Sequence, residues 1–329
     1  MTFHLPTLFL IHLIIACTGW TIAAEPKCGM WVYKTETIVS SQEEQAQLFA
    51  FCQERQITDL FWQVHFEKLP TGSARLKAGP LDALFLKAVH SQKIRLHALM
   101  GDPSHTLSAK HDRVLASVDA LISYNQENTP DARFDGLHLD IEPHGLTEWK
   151  KADLSAKCRL ITQFVEVHAK VAKRLDTAAT GLVFGTDIVF WLDKLNAEGT
   201  PMYPVLHGGV IQDPVKHLFG IVDHVAIMSY RGTVEGRNGS IALVERTIDH
   251  ADVTSAEVFV GVKMAKIGPA MESYFGRTEA EMQADLQRVE SVYRPHASYA
   301  GIAYFMYEAF KVMPQGAHAR SSRRIDTDS

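Results

Sequence analysis

The sequence has little of what several large classes of protein need. Basic residues are not in excess, since 33 Lys and Arg stand against 38 Asp and Glu, a formal net charge of −5. A nucleic-acid-binding domain usually carries a basic excess or patch. Neither a GxGxxG motif nor a P-loop follows any apolar run, which disfavours nucleotide-binding folds. The sequence therefore predicts no nucleic-acid partner and no cofactor.

Long hydrophobic runs are also lacking, except at the start of the chain. Leu5–Ala16 is almost entirely apolar, and Ala23-Ala24 offers a small-residue cleavage site, which together predict a secretory signal peptide over residues 1–24. The run is shorter than the ~20 residues that a spanning helix needs. A transmembrane anchor and a lipid anchor at Cys17 remain as alternatives. The main prediction is a secreted or periplasmic protein without stable membrane insertion after the signal is removed.

Short apolar runs alternate with longer amphipathic stretches along the rest of the chain. Near-continuous hydrophobic runs are typical of parallel strands buried on both faces. Eight such runs with helical patterns between them favour an α/β fold, a (β/α)₈ TIM barrel. The predicted strands are Met30–Tyr33, Leu60–His65, Arg95–Met100, Gly136–Asp140, Gly181–Asp187, His224–Ser229, Glu257–Lys263 and Gly301–Met306.

The helices predicted between these strands follow the same alternation. They are Ser41–Gln56, Leu81–Ser91, Thr106–Asn128, Lys151–Leu175, Ser240–His250 and Thr278–Tyr293, and residues 196–210 read as a long loop. The last helix is expected to be short or incomplete. We predict a single barrel domain over residues 25–316 and a disordered polar tail over residues 317–329.

Cysteine is scarce, with four residues in the whole chain. Removal of the signal peptide leaves Cys28, Cys52 and Cys158, an odd number, so at least one thiol is free or pairs between chains. Cys28 precedes the first strand and Cys52 ends the first helix. Both lie toward the bottom of the predicted barrel, so these two could form a bridge.

Ionisable side chains alternate along the fourth predicted strand. Alternate residues of a barrel strand face the interior, so His138, Asp140 and Glu142 share one face, while Leu137 and Leu139 face the helices. Active sites of this fold lie at the carboxyl ends of the strands. Buried carboxylates are costly unless they are paired or hydrogen-bonded. The pattern therefore predicts that Asp140 and Glu142 point into an active-site cleft.

This strand resembles the DGxDxDxE signature of glycoside hydrolase family 18, the chitinase family. Asp135-Gly136, Asp140 and Glu142 match the signature, and Met228-Ser229-Tyr230 on strand six resembles the family's MxY segment. The chain departs from the family in three places. His138 stands where the family has its first inner Asp, Arg231 follows Tyr230, and Phe305 or Tyr307 is nearest to the usual strand-eight Trp.

The resemblance implies a chemistry for these residues. Glu142 would be the general acid that protonates the glycosidic oxygen. The nucleophile would be the substrate's own 2-acetamido group, with Asp140 orienting it and Tyr230 donating a hydrogen bond to its carbonyl oxygen. His138 would hydrogen-bond Asp140, and as a cation it would lower the pKa of that carboxyl. Met228 and Tyr307 would contribute to substrate binding.

Other polar residues near the ends of predicted strands are candidates for binding sugar hydroxyls. Strand two offers His65 and Glu67, strand five ends at Asp187, and strand seven ends at Lys263. Asp187 could also be the second carboxylate of an ordinary two-carboxylate hydrolysis. Three tryptophans near strands could stack on sugar rings or belong to the core: Trp31, Trp62 and Trp191.

Three functions remain open from the sequence. The first is a glycoside hydrolase acting on a carbohydrate, with N-acetylhexosamine as a candidate sugar. The second is a non-catalytic, chitinase-like carbohydrate-binding protein, although the retained Glu142 favours the enzyme. The third is a metal-dependent hydrolase using His138, Asp140, Glu142 and His144 with His65 or His97. Pro143 interrupts this last pattern, and no HxH pair occurs on strand one.

Overall fold

The computed structural model describes residues 25–77 and 80–316. The predicted signal peptide, the candidate anchor at Cys17 and the predicted tail lie outside these residues. Within the described ranges, no helix has both the length and the apolar character needed to cross a membrane.

Eight parallel strands form a closed barrel in which each strand pairs with its neighbours in the chain. They are β1 (Lys27–Val32), β2 (Asp59–Gln63), β3 (Arg95–Met100), β4 (Gly136–Leu139), β5 (Val183–Val189), β6 (His224–Met228), β7 (Glu257–Lys263) and β8 (Tyr299–Phe305). The barrel closes where Met30 of β1 pairs with Leu60 on one side and with Tyr304 on the other. This arrangement confirms the predicted (β/α)₈ class.

The helices surround the barrel and bury its outer face. They are α1 (Thr35–Val39), α2 (Gln42–Glu54), α3 (Pro80–Ser91), α4 (His111–Glu127), α5 (Thr147–Lys151), α6 (Leu154–Thr177), α7 (Pro214–Leu218), α8 (Ser240–Ala251), α9 (Glu279–Tyr293) and α10 (Tyr307–Phe310). Short 3₁₀ turns cover Pro103–Thr106, Ser108–Lys110, Pro130–Ala132, Pro143–Gly145 and Ala270–Glu272.

Helix starts follow local sequence chemistry. The Ser41 side chain accepts a hydrogen bond from the Glu44 N–H and caps α2, and Asp153 caps α6 in the same way through Ala156. Thr278 and Glu281 form a reciprocal capping box on α9. The last helix, α10, has only four residues, as the sequence predicted.

Two small hairpins are absent from the sequence-based prediction. Phe66–Lys68 pairs with Ala74–Leu76 above β2, and Val205–His207 pairs with Val210–Gln212 inside the predicted loop after β5. The second hairpin turns at Gly208-Gly209, both with positive φ, which is typical of a tight two-residue turn. Because β2 ends at Gln63, the prediction that His65 and Glu67 extend that strand is wrong: both residues lie in or beside the first hairpin.

The cysteines do not pair within the described part of the chain. Cys28, Cys52 and Cys158 are all free thiols, so the bridge between Cys28 and Cys52 is not formed. Burial raises the pKa of Cys52 to about 12 and that of Cys28 above its ordinary value as well. Both thiols are therefore protonated and poorly reactive.

Glycines inside the barrel make room for histidine rings. A Cβ at Gly136 would overlap the His97 ring, and one at Gly185 would overlap the His224 ring. His97 and His224 are both almost fully buried. These two glycines therefore permit bulky polar rings in an interior that is otherwise filled by Trp31, Phe61, Leu99, Ala226, Phe259, Ala300 and Ala303.

Replacing Gly185 by Ala is expected to destabilise the barrel. The added methyl group has no space beside the buried His224 ring, and overpacking of this kind costs about 1–3 kcal/mol. Urea unfolding followed by circular dichroism measures the change. Gly220→Ala is the control, because its Cβ would meet ordinary van der Waals distances at an exposed position. Equal stability of the two variants would contradict the packing argument.

Candidate active site

Asp187 of β5 is the centre of a buried hydrogen-bond network near the mouth of the barrel. Its Oδ2 accepts a hydrogen bond from the Trp31 indole N–H at 3.1 Å, and its Oδ1 lies 3.0 Å from Nε2 of His138. Asp187 is 2% exposed, and burial raises its pKa well above the ordinary value. Trp31 is also buried, so it holds Asp187 rather than offering a face to a sugar.

His138 connects Asp187 to a second histidine deeper in the barrel. Its Nδ1 lies 3.0 Å from Nε2 of His224, and its ring stacks on Phe61 with centroids 4.2 Å apart. His138 is fully buried, and burial lowers its pKa to about 3. The imidazole is therefore neutral and has no surface for a substrate. The expectation of a cationic His138 bonded to Asp140 is wrong, because Asp187 takes that hydrogen bond.

A second polar group closes the bottom of the barrel interior. Nε2 of His97 lies 2.8 Å from Oδ1 of Asp59, and Arg95 forms an ion pair with the same carboxylate at 2.8 Å. The His97 and His224 rings lie edge to face with centroids 5.3 Å apart. Sequence reasoning did not single out His224, although it shares the inward parity of Tyr230 on strand six.

Asp140 follows β4 and lies at the mouth. Burial raises the pKa of its carboxyl well above the ordinary value, and the charges of Asp187 and Glu142 raise it further. Its Oδ1 has no hydrogen-bond partner among the described residues. A buried acceptor without a partner is costly, and such atoms occur at sites that receive a ligand.

Glu142 lies two residues beyond Asp140, in the turn that starts the next 3₁₀ segment. Its side chain is 33% exposed, and Oε2 lies 3.5 Å from Nε2 of His144. The His144 ring packs edge-on against Trp191, with centroids 5.6 Å apart. Glu142 influences the pKa of Asp140 and of Tyr230, which places these three side chains in one electrostatic neighbourhood.

Aromatic rings form the opposite side of this neighbourhood. Tyr230 packs against Phe305 with centroids 5.4 Å apart, and Phe305 also contacts Trp31 and Tyr33. Burial raises the pKa of Tyr230 well above its ordinary value, helped by Asp187, Tyr33, Asp140 and Glu142. The Tyr230 hydroxyl therefore stays protonated and remains a hydrogen-bond donor.

Lys263 supports Tyr230 from β7. Its Nζ lies 5.2 Å from the centre of the Tyr230 ring and pairs with Glu272 at 2.9 Å. The Lys263 side chain is nearly buried. Its ammonium group already interacts with Glu272 and with the Tyr230 ring, so it is not free to bind a substrate. Arg231, one departure from the chitinase pattern, turns aside: its guanidinium donates to the Tyr230 carbonyl and covers the Phe190 ring at 4.7 Å.

A cavity of about 640 Å³ opens on one side of the mouth, within the range of ligand pockets. Asp140 and Tyr33 line its inner end, and it runs outward between the first hairpin and the start of α4. His65, a predicted substrate-binding residue, is also among its lining residues, and its role stays a prediction. Glu142 and Tyr230 do not line it; Glu142 borders a separate small crevice with Met228 and Asp187.

The remaining candidates lie away from the cleft. Glu67 is exposed and pairs with Arg75 across the first hairpin at 2.7 Å. Tyr307 is 1% exposed and packs edge-on against Phe51 of α2, so it contributes to the outer core instead of binding substrate. Trp62 is likewise buried, against Phe85 of α3.

The ligand set of a metal site does not come together. In the part of the chain that the structure describes, no group of three His, Cys, Asp or Glu side chains is arranged to hold a metal ion. His138 is bound to Asp187 and His97 to Asp59 in the interior, whereas His65 lies on the exposed hairpin base. The proposed metal ligands therefore point to three different places.

Comparisons with known proteins give the fold a context. No family model and no curated protein matches the sequence. The spore cortex-lytic enzyme SleL of Bacillus megaterium QM B1551 is similar in structure, with 85% of this chain and 70% of that chain covered, 13% identity and a TM-score of 0.53. A chitinase from Rhizomucor miehei is similar over 86% of this chain and 95% of that chain, with 13% identity and a TM-score of 0.51. A chitinase from Bacteroides thetaiotaomicron is similar over 87% of this chain and 90% of that chain, with 12% identity and a TM-score of 0.50.

The chain thus has a (β/α)₈ barrel fold similar to that of these chitinases and of SleL. At 12–13% identity the likeness concerns the fold, whereas the chemistry depends on the side chains at the mouth.

A buried histidine behind the site gives a pH prediction. His168 of α6 bonds Thr186 of β5 at 2.8 Å and is fully buried, which lowers its pKa to about 4. Below pH ~6.5 the unfolded chain binds a proton at this residue that the folded chain does not. This group therefore lowers the free energy of unfolding as pH falls, by about 3 kcal/mol down to pH ~4.

His168→Gln should remove this contribution. The variant's free energy of unfolding is expected to fall less than that of the wild type between pH 7 and pH 4, measured by urea titration at each pH. All other titrating groups are present in both proteins and cancel in the comparison. Identical pH slopes for the two proteins would contradict a neutral, buried His168.

Proposed function

We propose that the protein is an extracytoplasmic glycoside hydrolase that cleaves an N-acetylhexosamine-containing glycan. The observation that carries the proposal is Asp140, a carboxyl with a raised pKa and an unpartnered Oδ1 at the inner end of a ligand-sized cleft. Structurally similar proteins are named as chitinases and as a spore cortex-lytic enzyme, which supports a glycan substrate. The location outside the cytoplasm rests on the predicted signal peptide.

Glu142 would act as the general acid. Its side chain is partly exposed, so it can exchange protons with solvent. It lies two residues after Asp140 and is close enough to raise the pKa of that carboxyl. As the bond between the anomeric carbon and the glycosidic oxygen breaks, Glu142 gives its proton to that oxygen. A positioned acid of this kind typically contributes 10²–10⁴-fold to the rate.

Asp140 would hold the substrate's 2-acetamido group, whose carbonyl oxygen attacks the anomeric carbon. The unpartnered Oδ1 of Asp140 is an acceptor of the kind that the acetamide N–H needs. Positive charge grows on the acetamide during the attack. Glu142 becomes negatively charged as it gives up its proton, and this charge beside Asp140 would stabilise the positive charge.

Tyr230 and the buried network would complete the site. The protonated Tyr230 hydroxyl would donate to the acetamide carbonyl oxygen, and Phe305 and Lys263 fix its ring. Asp187 would act behind Asp140, held in place by Trp31 and His138. His138 would therefore be a positioning residue instead of a substrate contact.

Glu142→Gln is expected to abolish glycan cleavage and to preserve binding, because the amide keeps the shape of the side chain but has no proton to donate. The loss in kcat should be about 10²–10⁴-fold, measured by reducing-end release from N-acetylglucosamine oligomers. Glu67→Gln is the matched control, since Glu67 lies on the exposed hairpin and pairs with Arg75. A wild type that binds a glycan but releases nothing from a broad panel would favour the non-catalytic, chitinase-like binding protein.

Tyr230→Phe should lower kcat about 10²–10³-fold with little change in KM, since a single donor to the reacting group is lost. The Phe ring keeps the contact with Phe305, so folding should be retained. Steady-state kinetics on the same oligomers measure the effect. A change in KM alone would place Tyr230 in ground-state binding and not in the reaction.

A further inference from the structure

The two walls of the cleft differ in charge. One wall is the first hairpin, where Lys77 follows the second strand and Lys68 ends the first. The Lys77 N–H donates to the His65 carbonyl at 2.9 Å, which brings Lys77 and His65 together at the hairpin base. The other wall is the turn after β3 and the start of α4, with Asp102, Asp112 and Arg113.

Among the described residues, no carboxylate forms an ion pair with a cation of this cleft, although the charge of Arg113 helps to lower the pKa of Asp102. Lys68, Lys77 and Arg113 are exposed, and none of them forms an ion pair with another described residue. Elsewhere at the mouth the arrangement is different, because Lys263 is paired with Glu272. On the hairpin itself, Arg75 neutralises Glu67 at 2.7 Å, outside the cavity lining. The net charge of the hairpin wall therefore comes from Lys68 and Lys77.

The carboxylates of the cleft do not cancel this charge. Asp102 accepts the Ser104 N–H at 2.8 Å and caps a 3₁₀ turn, and it lies with Asp112 on the wall opposite the lysines. The raised pKa of Asp140 keeps the inner end of the cleft without a full negative charge. A cation-bearing wall thus faces the cleft in a chain whose net charge is −5.

We propose that this cleft takes an acidic glycan, in which a sugar bearing a carboxylate or a sulfate lies against Lys68 and Lys77. The reacting N-acetylhexosamine would sit at Asp140, and the acidic sugar would lie further out along the hairpin. Asp102 and Asp112 on the facing wall accept hydrogen bonds from sugar hydroxyls. The inference rests on the proposed function only in taking a glycan as the ligand.

The test compares three tetrasaccharide probes of similar length. They are neutral chitotetraose, a hyaluronan tetrasaccharide carrying carboxylates, and a 6-O-sulfated chitotetraose. Calorimetry is performed with the full chain carrying Glu142→Gln, so that no probe is consumed. At low salt an acidic probe should bind about tenfold more tightly than the neutral one, and the preference should shrink as salt is added. Whichever acidic probe binds more tightly shows whether the cleft prefers a carboxylate or a sulfate.

The double variant Lys68→Ser/Lys77→Ser should lose this preference and keep its affinity for chitotetraose. A charge-matched control, Lys150→Ser/Lys216→Ser, changes two exposed lysines that do not line the cleft and should keep the preference. Equal affinities for all probes, no binding of any probe, or an equal loss in both double variants would overturn the proposal.

Hydrolysis by the wild type is measured separately, so the two proposals fail independently. Acidic preference without bond cleavage would leave the charged cleft standing and remove the enzyme. Cleavage together with tighter binding of neutral oligomers would support the enzyme and overturn the acidic-glycan proposal.

Discussion

The hydrogen bonds of Asp187 to Trp31 and His138 hold the interior of this barrel together. A buried carboxyl needs partners for both oxygens, and here they come from β1 on one side and β4 on the other. The strands that carry the mouth residues are thereby fixed relative to one another. His138 in turn bonds His224 on β6, so the polar chain crosses the barrel core from β1 to β6.

This buried network also sets the electrostatics at the mouth. Asp187 lies close enough to Asp140 and Tyr230 to raise the pKa of both groups, with burial as the larger cause. The mouth therefore holds a protonated hydroxyl and a carboxyl that resists ionisation, side by side. In the proposed mechanism these neutral groups hold the acetamide, and the charge that Glu142 acquires on losing its proton favours a substrate that becomes positively charged as it reacts.

The shape of the mouth is decided by segments outside the barrel strands. The hairpin after β2 and the start of α4 form a cleft on one side, while the loop after β7 directs Glu272 onto Lys263 on the other. Loops at the carboxyl ends of barrel strands vary freely because the closed sheet carries the stability. The one-sided cleft is a property of these loops, as are two hairpin lysines that form no ion pair with another described residue. In the proposal, the glycan class follows from them.

Local patterns were sufficient for much of the structure. Eight apolar runs with helices between them predicted a closed parallel barrel. Two predicted helices start at Ser41 and Thr278, the residues that cap α2 and α9 in the structure. Alternation also predicted that Asp140 and Glu142 share one face at the carboxyl end of strand four. These features depend on side chains within a few residues of one another, so the sequence by itself could determine them.

Partners across the barrel could be decided only by the tertiary structure. The strand-four pattern does not indicate that His138 forms a hydrogen bond with Asp187, 49 residues later in the chain, and not with Asp140, two residues later. Similarly, Tyr307 packs in the outer core against Phe51. Glu67 lies in a hairpin that the alternating pattern did not predict, where it pairs with Arg75. Strand neighbours are fixed by barrel closure and register, which join residues far apart in the chain, and the pairing of buried charges follows from that geometry.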